Sequence, residues 1–582
     1  MGNSEDTPII RSMKKAKRWT LKPIPDPALI NQLATDIQVD PLVATLLVQR
    51  GIQTFEQAKL FFRPDLSQLH DPFLMKDMDK AVARIQRAIA SNENILVYGD
   101  YDVDGTTAVA LMTSYLRSKY PNVATYIPDR YGEGYGISYA GIDYADDNGI
   151  SLIIALDCGI KALDKIAYAS KKNIDFIICD HHRPGKKLPL AHAVLDPKRQ
   201  DCSYPYDELC GCGVGFKLIQ ALSQVNEEGE EALLPYLDLV ATAIAADIVP
   251  LTGENRVLCA QGLKRVNSNP RAGIQAMLKT AKKNGKISVS DLVFIVAPRI
   301  NAAGRMKHGL YAVDLLLEND LTKAEVLATE INSFNEERKG LDKKTTEEVL
   351  EYIREKGEEE RMTTVALDDS WHKGVLGIVA SRVMETYYRP TLIFTRSGDK
   401  LAASARSVKG FDVYDALSQC SEYIEQFGGH KYAAGLTMLP EQFEGFKAKF
   451  EEVVSEQIDP QLLIPDIQVD TRMTMDRISP KFYRIIKQFQ PFGPGNNAPS
   501  FMVSDLYDTG YARGVGEDDK HLKMTIYQPG SNAINAIGFN LGSKLELVKH
   551  NSPFSAVVSV EENEWNGRVD LQLKVKDIRA EN

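Results

Sequence analysis

Between residues 77 and 195 the chain alternates short apolar runs with longer amphipathic stretches. Asn94–Tyr98, ATYIP at 124–128, SLIIAL at 151–156, DFIIC at 175–179 and AVL at 193–195 are nearly unbroken apolar runs of strand length. Between them, DKAVARIQRAIASN and the stretches 106–119, 139–148 and 162–172 place apolar residues at helical spacing. Strands that are apolar on both sides, each followed by a helix, predict a parallel sheet covered on both faces. Helical patterns then dominate to about residue 268.

The remaining chain changes pattern twice. Residues 322–360 are charged, proline-free and helical, which predicts a long connecting helix or a pair broken near Gly340. A second α/β unit starts with TTVALD at about 362 and includes TLIFT and LAASAR. After a linker with Pro460 and Pro465, strand-like alternation (FMVSDL, LKMTIYQ, NAINAIGF, SAVVSVEEN, DLQLKV) predicts a small β-barrel of the OB type. Residues 1–75 read as a mixed extension with one helical pattern near 41–61. The expected division is an extension at 1–75, an α/β domain at 76–270, a helical connector at 271–361, a second α/β domain at 362–457 and the barrel at 463–582.

Composition narrows the class without naming it. The chain has 582 residues, 44% hydrophobic and 25% charged, as expected of a globular protein of several domains. No stretch approaches the ~18 apolar residues of a membrane span, and the N-terminus lacks the apolar core of a secretory signal. No membrane association is therefore expected. Seven scattered cysteines, with Cys210-Gly211-Cys212 the only close pair, point to reduced thiols and a cytoplasmic location. The net charge of −10 argues against a general nucleic-acid coat. The basic run Lys14, Lys15, Lys17 and Arg18 reads first as a solvated tail.

The chemistry sits where the first sheet's strands end. In open parallel sheets, sites form beyond the carboxyl ends of the strands. One end continues as Gly99-Asp100-Tyr101-Asp102-Val103-Asp104-Gly105, another as Asp157-Cys158-Gly159, a third as Asp180-His181-His182. A fourth acid, Asp247, closes the apolar run ATAIAADIVPL, where a lone carboxylate needs a partner or a metal. A calcium loop would need a closing glutamate, and the residues after Gly105 are TTAVALM. A dinucleotide site would need GxGxxG, which is absent. Adjacent histidines alone are as readily a solvated turn as a metal site. Gathered at one sheet edge, these acids and a histidine suit hard or borderline divalent ions. Their number suits two ions about 3.5–4 Å apart, the arrangement that activates water for phosphoryl displacement.

GDYDVDGTT, LDCG, DHH and AADIVPL, in that order, resemble the four motifs of the DHH phosphoesterase superfamily. PRINAAGRM (298–306), HKGVLGIVASR (372–382), SARS (404–407), FGGHKYAAG (427–435) and PFGPGN (491–496) are similar to its RecJ branch, and the resemblance spans about residues 15–580. It implies a catalytic DHH domain, a DHHA1 domain joined to it by long helices, and an OB-like barrel. It further implies a two-metal (Mn²⁺ or Mg²⁺) exonuclease that degrades single-stranded DNA from the 5′ end to mononucleotides, in repair and recombination. Single-stranded DNA is then the partner, with a single-strand-binding protein and a RecQ-type helicase expected from the family, and a monomer is expected. By position, the metal ligands are Asp102, Asp104, Asp157, His181 and Asp247, with Asp157 bridging and Asp100 contributing to the first ion. Tyr98 stands where the wider superfamily often has a ligand histidine. Asp180 is expected to orient His181, and His182 to face the phosphate or the attacking water.

Arginine forks match phosphate geometry. Together with the resemblance, they make Arg130, Arg299, Asn301, Arg305, His372, Ser404, Arg406, Gly428, Gly429 and His430 the expected DNA contacts, in a cleft between the two α/β units. In the barrel, Tyr507, Tyr511, His521, Lys523 and Tyr527 are available for stacking and phosphate contact. Two rivals remain: a DHH phosphodiesterase for short oligonucleotides or cyclic dinucleotides, and a non-catalytic DNA-binding scaffold of the same fold. The length of the chain disfavours the first, and the full set of acids disfavours the second.

Overall fold

A computed structural model describes residues 16–549, 552–565 and 567–581. The expected parallel sheet is present. Its five strands, β1 (Asn94–Gly99), β2 (Val123–Tyr126), β3 (Ile150–Leu156), β4 (Asp175–Cys179) and β5 (Ala193–Leu195), are ordered β2-β1-β3-β4-β5 and pair in parallel throughout. The order reverses around β1, so the carboxyl ends of β1 and β3 open on a topological switch point. One face packs against α1 (Val103–Arg117), α2 (Gly211–Val225) and α3 (Leu237–Ala246) in a continuous apolar core. The other face is covered by helices Tyr139–Asp147 and Leu163–Lys171 around Tyr98, Ile153 and Phe176.

Glycine decides how tightly α1 sits on β1. A Cβ on Gly105 would lie 2.4 Å from the carbonyl oxygen of Asp100. No larger residue allows the chain to leave β1 and start a helix within one turn. The acidic stretch of the motif is thereby folded into a loop and a helix N-terminus.

The chain divides into two compact units, Lys22–Asn335 with Asp470–Asn582, and Glu336–Val469 with the N-terminal residues to Leu21. A single helix, Leu321–Glu355, carries the chain from one to the other; it is unbroken, and the expected interruption at Gly340 does not occur. Gly340 meets nothing that a side chain would disturb, so its cost is only the loss of helix propensity, ~1 kcal/mol.

The second unit holds a mixed sheet of β6 (Thr364–Leu367), β7 (Thr391–Ser397), β8 (Lys400–Arg406), β9 (Gln426–His430) and β10 (Ala433–Met438), ordered β9-β10-β8-β7-β6. Only β6 and β7 are parallel. The glycine-rich FGGHKYAAG forms the hairpin β9–β10. Glycines weaken strand propensity, which hid it.

The C-terminal barrel is closed by the expected strands Phe501–Asp508, His521–Tyr527, Ile534–Gly538, Phe554–Trp565 and Arg568–Ala580. The greatest departure from expectation is at the N-terminus. Helices Pro27–Asp36, Pro41–Val48 and Phe55–Phe62 are not a preamble: Leu33, Val43, Leu46 and Leu47 are fully buried in one cluster with Phe501, Val503 and Phe554 of the barrel. Strand Arg18–Leu21 pairs in parallel with Asp466–Val469, both within the second unit. Lys14 and Lys15 lie outside the described residues. No helix among the described residues is long and apolar enough to cross a membrane.

Candidate active site

β1, β3 and β4 deliver their last residues to one buried point. His181 Nε2 lies 3.2 Å from Asp157 Oδ1, 3.6 Å from Asp247 Oδ2 and 3.8 Å from Asp104 Oδ2. Burial drives the His181 ring down to a pKa of about 3, so it is a neutral imidazole. Among the described residues, both His181 nitrogens, Asp157 Oδ1 and Asp247 Oδ2 are buried without a hydrogen-bond partner. Two donor groups overlap here, Asp157–His181–His182 and Asp104–His181–Asp247, each with its donor atoms within 4.8 Å of one another. Unpaired carboxylate oxygens converging on a neutral imidazole nitrogen repel unless a cation lies between them. The donor set therefore fits one or more divalent ions of the Mn²⁺ or Mg²⁺ kind.

The electrostatics agree. Burial first, and then neighbouring carboxylates, push Asp100, Asp104, Asp157 and Asp247 all above the usual carboxylate range. Asp102 is one of those neighbours in each case, although it lies outside both donor groups. It caps α1, its Oδ1 accepting the Gly105 N–H at 3.0 Å. Asp100 is buried beside it; Oδ1 accepts the Gly136 N–H at 3.2 Å and Oδ2 has no hydrogen-bond partner among the described residues.

Asp157 adopts a left-handed conformation, φ 59°, which aspartate tolerates better than most residues. The turn directs its carboxylate toward His181. α2 starts against it: a Cβ on Gly211 would lie 2.5 Å from the Asp157 Cβ. The Gly211 and Cys212 N–H groups donate to the two oxygens of Asp104 at 2.6 and 2.8 Å, seating that carboxylate on a helix N-terminus. The sequence reading took Cys210-Gly211-Cys212 only as thiols. Its information is the glycine at the first position of a helix facing the acids.

Tyr98 does not reach the cluster. It is buried, stacks on Tyr126 and donates its hydroxyl to Gly136 O at 2.9 Å. Tyr98 and Asp100 thus hold the same loop. Asp180 corrects a second expectation. Its carboxylate braces the ring of His182, not of His181: Oδ1 lies 2.7 Å from His182 Nδ1, while His181 reaches it only through a backbone N–H. Oδ2 accepts the Ile160 N–H at 2.9 Å. Burial raises the Asp180 pKa, but the His182 hydrogen bond and charge and the Ile160 N–H outweigh it and bring it down to about 2. On its other side, His182 Nε2 is 3.2 Å from the Tyr135 hydroxyl, which also reaches Asp157 O at 3.2 Å. Tyr135 was not singled out from the sequence; it sits in PDRYGEGYG, between Gly134 and Gly136.

The expected phosphate contacts divide. PRINAAGRM is a helix, Ala297–Met306, not a loop. Arg299 is buried there, donating to Ile295 O at 2.7 Å and Asn332 Oδ1 at 2.8 Å. Asn301 and Arg305 lie on the same helix, both partly exposed. Arg130 stacks 3.9 Å above the Tyr101 ring and donates to Gly304 O at 3.2 Å. In the other unit, Arg406 donates to Ser404 Oγ at 3.3 Å and Ala405 O at 2.7 Å, with Gly377 tight against both side chains. His372 caps a turn through Nδ1, 3.1 Å from the Gly374 N–H. Gly428, Gly429 and His430 are exposed on β9.

Buried acids at the switch point of a parallel sheet, followed by a mixed sheet and a closed barrel, define the DHH class. The family model for the DHH family, N-terminal domain matches residues 94–244, that for the DHHA1 domain 359–456, and that for the RecJ OB domain 469–577. The single-stranded-DNA-specific exonuclease RecJ of Bacillus subtilis is 37% identical over 565 residues, covering 96% of this chain and 70% of that protein. The Escherichia coli RecJ is 32% identical, covering 93% and 96%. The structure of RecJ in complex with Mn²⁺ from Thermus thermophilus superposes with a TM-score of 0.83 at 27% identity, over 97% of this chain and 80% of that one. The chain belongs to the RecJ family of the DHH superfamily.

Proposed function

We propose that this protein is a divalent-metal-dependent exonuclease that degrades single-stranded DNA from the 5′ end, releasing mononucleotides. The observation that carries it is the convergence of Asp104, Asp157 and Asp247 oxygens on the neutral His181 nitrogen within 3.2–3.8 Å. Asp104, Asp157, His181 and Asp247, with Asp100 and Asp102 beside them, would hold two Mn²⁺ or Mg²⁺ ions. Bound there, the ions supply an activated water and neutralise charge developing on the phosphate.

The chain's own groups do the rest. The N-terminus of α2 fixes Asp104, and the left-handed turn at Asp157 aims its carboxylate. Asp180 holds His182 with Nδ1 toward itself, leaving Nε2 to exchange Tyr135 for a phosphate oxygen or a water. Arg130, Arg305, Asn301, Ser404, Arg406, His372, Gly428, Gly429 and His430 are the proposed strand contacts, arginine forks steadying the non-bridging oxygens. A cytoplasmic location, a monomeric state, and a single-strand-binding protein and RecQ-type helicase as partners belong to the same reading; family resemblance supports them.

One assay tests it. A 5′-labelled single strand, its blunt duplex and an RNA copy are incubated with Mn²⁺ and the products resolved by size. Mononucleotides released from the single strand, with the duplex spared, are expected. No release, or equal attack on the duplex, overturns the reading. Asp157→Ala should abolish release while strand binding persists.

A further inference from the structure

Two loops leaving the candidate site carry four cations that form no ion pair among the described residues. Arg183 follows His182 directly, and Lys186 and Lys187 continue the same loop, RPGKK; all three are exposed. Lys161, also exposed, follows Ile160, whose N–H is bonded to Asp180 Oδ2 at 2.9 Å. The two loops meet: a Cβ on Gly185 would lie 4.0 Å from Lys161 Cγ.

Other cations of the domain are tied to acids. Arg84, Lys119, Lys172, Arg199, Lys217 and Arg271 are all paired with acids. The chain as a whole carries a net charge of −10, so a cluster of four unpaired cations does not follow from an excess of basic residues. Nor is it needed to offset the acids of the site, because the lysine whose charge reaches Asp247 is Lys198. Like charges held together without partners cost free energy, and a polyanion relieves that cost.

We propose that Lys161, Arg183, Lys186 and Lys187 form a track for the phosphate backbone of the single strand immediately beside the bond to be cut. The proposal rests on the nuclease reading above and specifies where the strand runs on the catalytic domain. Both loops are anchored by Asp180, so the brace that orients His182 also fixes the track's position relative to the reacting phosphate. Arg183 supplies a bidentate fork nearest the site, and the lysines supply point charges further out.

The test uses the full chain with all four residues changed to alanine, alongside a charge-keeping version (Lys161→Arg, Arg183→Lys, Lys186→Arg, Lys187→Arg). Binding of a labelled oligo-dT is followed by anisotropy in EDTA across a salt series, and turnover is measured with Mn²⁺. For single strands each phosphate contact contributes about 0.7 to the slope of log affinity against log salt. The alanine variant should therefore bind tenfold or more weakly at physiological salt, with a slope shallower by about 2–3. Its loss of turnover should appear in KM rather than kcat, and the charge-keeping variant should behave as wild type. Equal affinity and slope for wild type and alanine variant overturn the track, as does a loss confined to kcat. Failure of the nuclease reading is separately visible, as wild-type protein that binds the strand but releases no mononucleotides.

Discussion

His182 Nδ1 lies 2.7 Å from Asp180 Oδ1, and that contact divides the labour between two adjacent histidines. Burial alone would lower both rings. For His182 the Asp180 hydrogen bond and charge reverse the sign, and its pKa is raised above the usual value, while the His181 pKa falls to about 3. One ring is held neutral, and its neighbour keeps its proton to higher pH than a free imidazole.

The first prediction follows from that sign. Asp180→Asn removes the largest contributions that raise His182, leaving burial opposed only by the charges of Asp104 and Asp102. A step requiring protonated His182 loses activity as pH rises through its pKa, so the alkaline limb of kcat/KM against pH should move to lower pH in Asp180→Asn. The same raised pKa makes the His182–Asp180 contact stabilising below the unfolded histidine value of about 6.5, with the contribution lost as pH rises through the folded value. An unmoved alkaline limb would separate Asp180 from the proton on His182.

The raised carboxylates predict proton release on metal binding. With no cation present, burial and mutual repulsion keep protons on Asp100, Asp104, Asp157 and Asp247 above the pH at which free carboxylates lose them. A divalent ion must displace those protons. Calorimetric titration of chelator-treated protein with Mn²⁺ at pH 7, in two buffers of different ionisation enthalpy, should report at least one proton released per protein. Release should shrink as pH rises and apparent affinity should fall as pH falls. Buffer-independent heats would contradict the shared burial of these acids.

Gly211→Ala tests the seat of Asp104 and Asp157. The added methyl would meet the Asp157 Cβ at 2.5 Å and Cα at 2.7 Å, and neither can move without displacing β3's end. Overpacking at a buried position costs about 1–3 kcal/mol, and here the strain falls on a proposed ligand. Mn²⁺ affinity and turnover should fall by at least tenfold, while circular dichroism stays native. Ala at Gly340, exposed and unobstructed, should instead raise stability by up to ~1 kcal/mol with turnover unchanged.

What the sequence disclosed about this site depended on continuity along the chain. β1, β3 and β4 read directly because their residues are apolar on both sides, and each ends at an acid. The acids therefore fall at one sheet edge on the apolar pattern alone. The contact of Asp180 with His182 did not read, because it is a choice between two neighbouring rings that only the turn after β4 settles. The role of Gly211 did not read either, since its chemistry is a backbone N–H contributed from 107 positions beyond Asp104. The bonds of Arg299 to Ile295 O and Asn332 Oδ1 did not read either, because a motif marks the position and not its burial. The N-terminal helices were hidden by distance, their apolar faces being completed by strands more than 400 residues away.

That distance yields the last prediction. Leu33, Val43, Leu46 and Leu47 are buried against barrel residues, and Arg50 adds bonds to Asn496 Oδ1 at 2.9 Å and Asn497 O at 2.7 Å. Burying one such aliphatic side chain stabilises by about 1.5–3 kcal/mol. The four together are of the order of a whole domain's margin, about 5–15 kcal/mol. A fragment of residues 463–582 alone should therefore lack a cooperative thermal transition and bind hydrophobic dye. Fusing residues 22–75 to it through a flexible linker should restore the transition. In the full chain, Leu46→Ala should cost about 2–5 kcal/mol, read as a lowered denaturant midpoint of the barrel's transition. A sharply unfolding isolated barrel would show that the N-terminal helices decorate the fold rather than complete it.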